Sequence, residues 1–366
     1  MEKNRPNIAD SISSAVAGLP PAYFALVMAT GIVSIASHLF GYAFIAIPLF
    51  WMNVVFYLLL WAMTLARVLL HTGRFFDDLS NHSVGVGFFT VVAGSCVLGN
   101  QFVLILHSFG IAGILLGIGF FLWAFLIYFI FTLFTVKSVK PPLETGINGV
   151  WLVSIVATQS VSILAGLVVP GFSAYGDLLL FFSFCMFLIG GMLYLLVIML
   201  IFYRFMFFTL KPEALGPPYW INMGAVAIST LAGATLILNS QRFALLETLS
   251  SFILGVTLFF WSAATWWIPF LLLLGAWRYL VRRVKFVYEP QYWGMVFPLG
   301  MYTVCTFRLA QVVDLNLLVE IPRYFIFAAL AAWGFTFAGL LRHILGPVFG
   351  TRGAGDRESN RKDAGG

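Results

Sequence analysis

Leu19-Pro20-Pro21-Ala22-Tyr23-Phe24-Ala25-Leu26-Val27-Met28-Ala29-Thr30-Gly31-Ile32 is where the chain turns from polar to apolar. The residues before it are polar to weakly amphipathic, Asn7 to Leu19 being the amphipathic part. The run that follows Pro20-Pro21 is long enough to cross a bilayer core of roughly 30 Å, which takes about 20 apolar residues in helix. It carries no signal-peptide cleavage pattern, so it reads as a first permanent span.

Working outward, nine further segments meet the same length criterion. The ten expected spans are 20–40, 43–66, 83–106, 109–134, 148–169, 177–203, 218–239, 246–275, 291–312 and 323–346. The composition agrees. Of 366 residues, 61% are hydrophobic and only 9% charged. An ordinary soluble domain carries about 25% charge, so this chain could not cover a water-facing surface. Cys96, Cys185 and Cys305 all fall inside apolar runs and read as free core thiols, with no disulfide or CxxC metal site. The expected organisation is a cytoplasmic N-terminal segment 1–19, a transmembrane transport domain 20–346 and a flexible cytoplasmic tail 347–366.

Charge sets the topology. Loops after the even spans are the longer and basic ones: Arg67 to Arg74, Lys137 to Lys140, Arg204 to Lys211, and Arg278-Arg282-Arg283-Lys285. With the N-terminus inside, 17 of the 20 Lys and Arg fall on the cytoplasmic side, leaving Arg242, Arg308 and Arg323 outside. That bias places both termini in the cytoplasm. The net charge of +6 is thereby explained without nucleic acid, since no basic stretch is interleaved with stacking aromatics outside the spans.

The odd spans also open alike: Pro21-Ala22-Tyr23-Phe24, Asn148-Gly149-Val150-Trp151, Pro218-Tyr219-Trp220 and Pro290-Gln291-Tyr292-Trp293. Anchored on Phe24, Trp151, Trp220 and Trp293, the steps are 127, 69 and 73 residues, the first spanning two repeats with span 3 in the gap. Each repeat is one helical hairpin. The expected fold is an all-α integral membrane protein: ten transmembrane helices as five hairpins, in a quasi-fivefold ring around a central pore.

The spans hold little catalytic chemistry. There is no HExxH and no GxSxG, and Asp177, Glu247, Asp314 and Glu320 sit at span ends rather than deep inside. Buried carboxylates would mark a proton relay. The loop His71 to His82 holds two His and two Asp, but solvated polar residues belong in a loop, so neither a metal site nor a cofactor is assigned. Arg308, near the outer end of span 9, either snorkels to headgroups or attracts anions. Phe297-Pro298 lies about one turn into that span. A proline kink there would push Phe297 toward the axis as a hydrophobic gate that closes by dewetting. Further pore-lining candidates are Phe88 and Phe89 in span 3, Asn222 in span 7, Thr30 in span 1 and Thr158 in span 5. Asn222 either bonds a neighbouring helix or faces the path.

Four passages carry a resemblance to a known family: Leu19 to Ile32; Phe76-Asp77-Asp78-Leu79 followed by Phe88-Phe89; Pro217-Pro218-Tyr219-Trp220-Ile221-Asn222-Met223-Gly224-Ala225; and Tyr292-Trp293-Gly294-Met295-Val296-Phe297-Pro298-Leu299-Gly300. Together they resemble the tellurite-resistance/C4-dicarboxylate transporter family of TehA-type channels, malate permeases and slow anion channels, over about residues 18–346. The resemblance implies a homotrimer with odd helices lining one pore per protomer, the gating phenylalanine at Phe297 and a basic residue at Arg308. The tandem Trp of span 9 is Tyr292-Trp293 here, and Asn81-His82 stands where a Pro-containing segment is common. The expected activity is anion transport through the plasma membrane, a bacterial inner membrane. The cargo is C4-dicarboxylates such as malate or small inorganic anions. A sulfite or tellurite efflux carrier is the alternative within the family, and a membrane-embedded lipid-acting enzyme the alternative outside it.

The charge bias makes a topological prediction. Cysteines introduced at Ser108 and Ser173 should react with an impermeant thiol reagent in intact cells. Labelling of both sites only after lysis would invert the assigned topology.

Overall fold

The computed structural model describes residues 8–285 and 287–345, so the expected tail at 347–366 lies outside the described residues. Among the described residues there are ten helices long and apolar enough to cross a membrane, and no strand. They are α1 Ala25–Leu39, α2 Ala43–Leu70, α3 Phe89–Leu106, α4 Phe109–Val136, α5 Val153–Val168, α6 Gly176–Phe207, α7 Ile221–Leu238, α8 Ser250–Ala276, α9 Trp293–Val313 and α10 Asn316–Leu345. The last begins seven residues before the expected limit of 323. Pro322 is the seventh residue of this helix, so it removes the N–H that would bond the Leu318 carbonyl in the turn before it. Arg323 donates to Glu320 one turn back, so both charges are carried on an exposed face.

Burial sorts the helices into two classes. The odd spans are 67% to 94% buried within the chain, the even ones only 22% to 44%. The even helices therefore turn most of their surface to lipid. Each inner helix packs on its hairpin partner and on two other inner helices: α1 on α3, α3 on α5, α5 on α7, α7 on α9, and α9 back on α1. The cycle of contacts closes.

Each inner helix opens on a 3₁₀ turn: Pro21–Phe24, Gly85–Phe88, Gly149–Leu152, Pro217–Trp220 and Pro290–Tyr292. These five turns touch one another in the same cyclic order. Small residues permit the approach. A Cβ on Gly149 would lie within 3.0 Å of the backbone of Pro218 and Tyr219 in the next turn. At the far end three hairpins reverse through a residue of positive φ, Gly41, His107 and Asp314.

Basic side chains from or just beyond the even helices hold three of these opening turns, those of α3, α5 and α7. Arg67, in the last turn of α2, pairs with Asp78 at 2.5 Å, just before the α3 turn. Lys137, after α4, donates to the Ser80 carbonyl at 3.0 Å. Arg204 of α6 donates to the Ile147 carbonyl and the Tyr219 hydroxyl, and Arg278, beyond α8, to the Leu215 carbonyl. Residues that the charge count treats as topology markers are thus also structural: Arg67, Arg204 and Arg278 are buried.

Removing one partner of a buried pair leaves an uncompensated charge, which costs several kcal/mol in a fully buried site. Asp78 is partly exposed, so Asp78→Asn should lower stability by about 2 kcal/mol. Thermal unfolding in detergent measures this. The double variant Arg67→Met/Asp78→Leu should recover most of the loss, and a wild-type Tm for Asp78→Asn alone would show that the pair does not hold the α3 linker.

Candidate functional site

The five opening turns surround a cavity of about 350 Å³. A second cavity, of about 20 Å³, lies toward the far end of the inner helices. The residues lining the two obey one register. With anchors at Phe24, Phe89, Leu152, Trp220 and Trp293, the repeat steps are 65, 63, 68 and 73 residues. One residue after each anchor stand Ala25, Thr90, Val153, Ile221 and Gly294, and all five line the larger cavity. Eleven residues after stand Ile35, Asn100, Ile163, Leu231 and Val304, and fifteen after stand Leu39, Leu104, Leu167, Thr235 and Arg308. All ten line the smaller cavity. One face of every inner helix therefore serves both cavities.

The sequence reading had three of these anchors. It placed the third repeat on Trp151, whose indole instead donates to the carbonyls of His82 and Gly146 in the adjoining linkers. An anchor at Leu152 brings Val153, Ile163 and Leu167 into register, and one at Phe89 brings in Thr90, Asn100 and Leu104. The signal was present in the spacing and needed a one-residue shift.

Phe297 lines the inner end of the larger cavity and is 1% exposed. Its layer, four residues after the anchors, is otherwise Met28, Ala93, Val156 and Gly224. Pro298 beside it packs on α7, where a Cβ at Gly224 would come within 2.7 Å of the proline ring. One turn further the layer is Ile32, Val97, Ser160, Ile228 and Met301, all buried. Ser160 donates its hydroxyl to the Val156 carbonyl of its own helix. Two successive layers between the cavities thus offer almost no free polar group.

Charge is distributed unevenly. The larger cavity has two carboxylates in its lining, Glu213 and Glu289, both exposed, and no basic side chain. The smaller one has a single charge, Arg308, which donates to Gln311 at 3.0 Å. All five inner helices point their N-termini at the larger cavity, and each N-terminus carries a partial positive charge of roughly +0.5.

The other sequence candidates lie elsewhere. Thr30 accepts from the Trp333 indole of α10 at 3.1 Å, and Thr158 from the Trp123 indole of α4 at 2.8 Å. The same device joins Trp261 of α8 to Thr306 of α9. These hydroxyls face the outer helices. Phe88 packs edge-on against Phe75, and Phe89 lies near Phe131 of α4, so Thr90 takes the lining position. Asn222 is fully buried, lines neither cavity, and neither of its amide atoms has a partner among the described residues.

Against known proteins, the sequence model of the voltage-dependent anion channel family matches residues 18–341. An uncharacterized membrane protein of Mycobacterium tuberculosis is 36% identical over 156 residues, 43% of this chain and 79% of its own length. Two uncharacterized transporters of Methanocaldococcus jannaschii are 26% and 24% identical, each over 81% of this chain and over 85% and 86% of their own lengths.

Proposed function

The chain belongs to the voltage-dependent anion channel family, and on that premise we propose that anions cross along the axis shared by α1, α3, α5, α7 and α9, with Phe297 as the gate. One observation carries this reading: two cavities, each lined in register by all five inner helices, are separated by the buried layer of Phe297. The closed cycle of helix contacts and the common register support a quasi-fivefold ring. Two dry layers in series oppose wetting, which is how a hydrophobic constriction blocks ions.

Small monovalent anions fit the lining better than a C4-dicarboxylate dianion. The two cavities hold one cation between them, and the carboxylates Glu213 and Glu289 stand at the wider mouth. A dianion would meet twice the repulsion there and find no second cation. The helix N-termini supply a diffuse field that a monoanion can use without a tight site. Family resemblance adds a homotrimer in the plasma membrane to these proposals, and the Lys and Arg bias adds cytoplasmic termini.

Replacing Phe297 with Ala opens the dry layer. Phe297→Ala should raise basal anion current in planar bilayers, with chloride and nitrate currents exceeding malate at equal activity. The fold should persist, because the ring borders a cavity and its truncation costs less than the 3–5 kcal/mol typical of a packed core. A folded Phe297→Ala protein with unchanged conductance removes the gate, and a dominant malate current removes the monoanion reading.

Arg308 should act through charge. A unit charge 6–8 Å from the ion contributes roughly 2–3 kcal/mol at an effective dielectric near 20. Screening at about 0.15 M salt, with a Debye length of about 8 Å, leaves an effect of about 1 kcal/mol. Arg308→Gln in the Phe297→Ala background should therefore cut low-salt current several-fold, and the deficit should shrink as salt rises. Arg308→Lys should keep most of the current. Equal low-salt currents at equal protein density with and without Arg308 would assign this arginine to lipid headgroups.

A further inference from the structure

Each of the three buried arginines meets an oxygen acceptor, but not the same kind or number. Arg67 meets the Asp78 carboxylate, and Arg204 meets a carbonyl and a tyrosine hydroxyl. Arg278 is different. It is 9% exposed, it lies within an apolar span, and no ion pair reaches it among the described residues. Its Nη1 donates to the Leu215 carbonyl and its guanidinium rests on the Tyr279 ring at 5.0 Å, while its Nε, like that of Arg67, has no acceptor among the described residues. Of the three, Arg278 alone has neither a carboxylate nor a second oxygen among them. A buried cation with one carbonyl and an orphaned N–H is costly, and an ionisable group inside a span calls for a partner.

The partner has a place to sit. Arg278 lines a cavity of about 70 Å³ between the end of α8 and the turn that opens α7, with Trp220, Gly275, Tyr279, Tyr292 and Met295. A water's share of liquid volume is about 30 Å³, so this room suits one small anion or the tip of a larger group. The backbone is unusual at this point. Helix α8 ends in a single π-helical turn, Trp277–Val281, a form that recurs at functional sites. Arg282, Arg283 and Lys285 follow, all exposed, and the first acid after Arg278 is Glu289. Against these four basic residues stand two carboxylates, Glu213 two residues before Leu215 and Glu289 three before Tyr292, so the net charge around the site is positive. Arginine's planar fork matches a tetrahedral oxyanion bidentately, which suits phosphate.

We propose that Arg278 anchors a regulatory binding site for a phosphate-class oxyanion, in the cavity between the π-helical turn of α8 and the opening turn of α7. The bilayer offers one source, since α8 is only 28% buried and ends beside the headgroups. Free phosphate is the other. Gly216 and Tyr219 line both this cavity and the larger one beneath the gate. An anion held by Arg278 consequently stiffens the α7 turn that forms part of the wider mouth. The site is distinct from the proposed ion path, and its occupancy does not depend on which anion crosses.

The test uses the full-length protein, purified in a neutral detergent and stripped of lipid. Thermal unfolding is followed while inorganic phosphate or dioctanoyl phosphatidylglycerol is titrated in. Dioctanoyl phosphatidylcholine and sodium chloride of matched ionic strength are the controls. A ligand that binds only the folded state raises Tm saturably. The expected result is such a rise with at least one phosphate compound and with neither control. A rise with phosphatidylglycerol alone identifies a headgroup site, and a rise with inorganic phosphate alone a soluble oxyanion site. Arg278→Gln should abolish the rise. Because that change also removes the bond to Leu215, Gly275→Leu provides a second variant. Gly275 lines this cavity and a Cβ there meets nothing within 4 Å, so a leucine is admitted at the cavity wall while Arg278 keeps its carbonyl. Loss of the rise in a folded Gly275→Leu protein supports the site. No saturable rise in the wild type, or an equal rise in Gly275→Leu, would leave Arg278 as a carbonyl clamp and overturn the proposal. These outcomes are read without any current, so they stand apart from the fate of the Phe297 gate.

Discussion

The arginine and lysine bonds to the linkers before the inner helices are the constraint on which the rest depends. A hollow bundle in lipid has no hydrophobic force pulling its inner helices toward a common axis, because lipid is as apolar as the helix surfaces. Something must fix where each inner helix starts. Here the basic ends of α2, α4, α6 and α8 bind Asp78, Ser80, Ile147, Tyr219 and Leu215, in or just before the 3₁₀ turns. The turns then touch in a closed cycle, and the space they enclose is the larger cavity. The cationic loops demanded by the positive-inside rule are put to structural use at the same place.

The inner helices contain many serines and threonines, yet the layers between the cavities offer almost no free hydroxyl. The hydroxyls are consumed within their own helices. Ser95, Thr158, Ser160, Ser229, Thr230, Thr235 and Thr303 each donate to the carbonyl four residues back. Such bonds spare the helix a buried unsatisfied donor and leave a small side chain that packs closely. Composition alone would have suggested a polar path. On the proposed route, dehydration would limit passage, relieved by the field of five helix N-termini at one end and by Arg308 at the other.

Much of this fold was legible in the sequence, and the reason is the solvent. Ten apolar runs of sufficient length could only be helices, and expected limits such as 109–134 and 148–169 fall within a few residues of Phe109–Val136 and Gly149–Gly171. The inner and outer classes followed from the hairpin repeat. The facing of individual side chains did not. A span such as Gly149–Gly171 is 94% buried, so it has no apolar stripe to orient it. Thr30 and Thr158 looked like lining residues for that reason, and their indole partners lie on outer helices remote in sequence or across a loop. Arg278 was hidden in another way. Within a cluster of four basic residues, nothing local separates the one that turns inward.

Asymmetry within the repeat is what gives Phe297 its standing. A layer of five aromatic rings would overfill a five-helix axis, and a layer of five small residues would leave it open. In this chain the layer has one ring, facing Met28, Ala93, Val156 and Gly224. In the proposed gate, closure rests on one side chain, whose rotamer can change without repacking four others. Pro298 favours such a change. It cannot donate to the carbonyl of Gly294, one turn back, and Gly294 lines the larger cavity, where water can take that bond. The glycine at 224 on α7 lets the proline ring approach, since a Cβ there would come within 2.7 Å of it. A gate made in this way needs one hairpin of the five to depart from the common pattern, and α9, the inner helix with both Phe297 and Arg308, is where this chain departs from it.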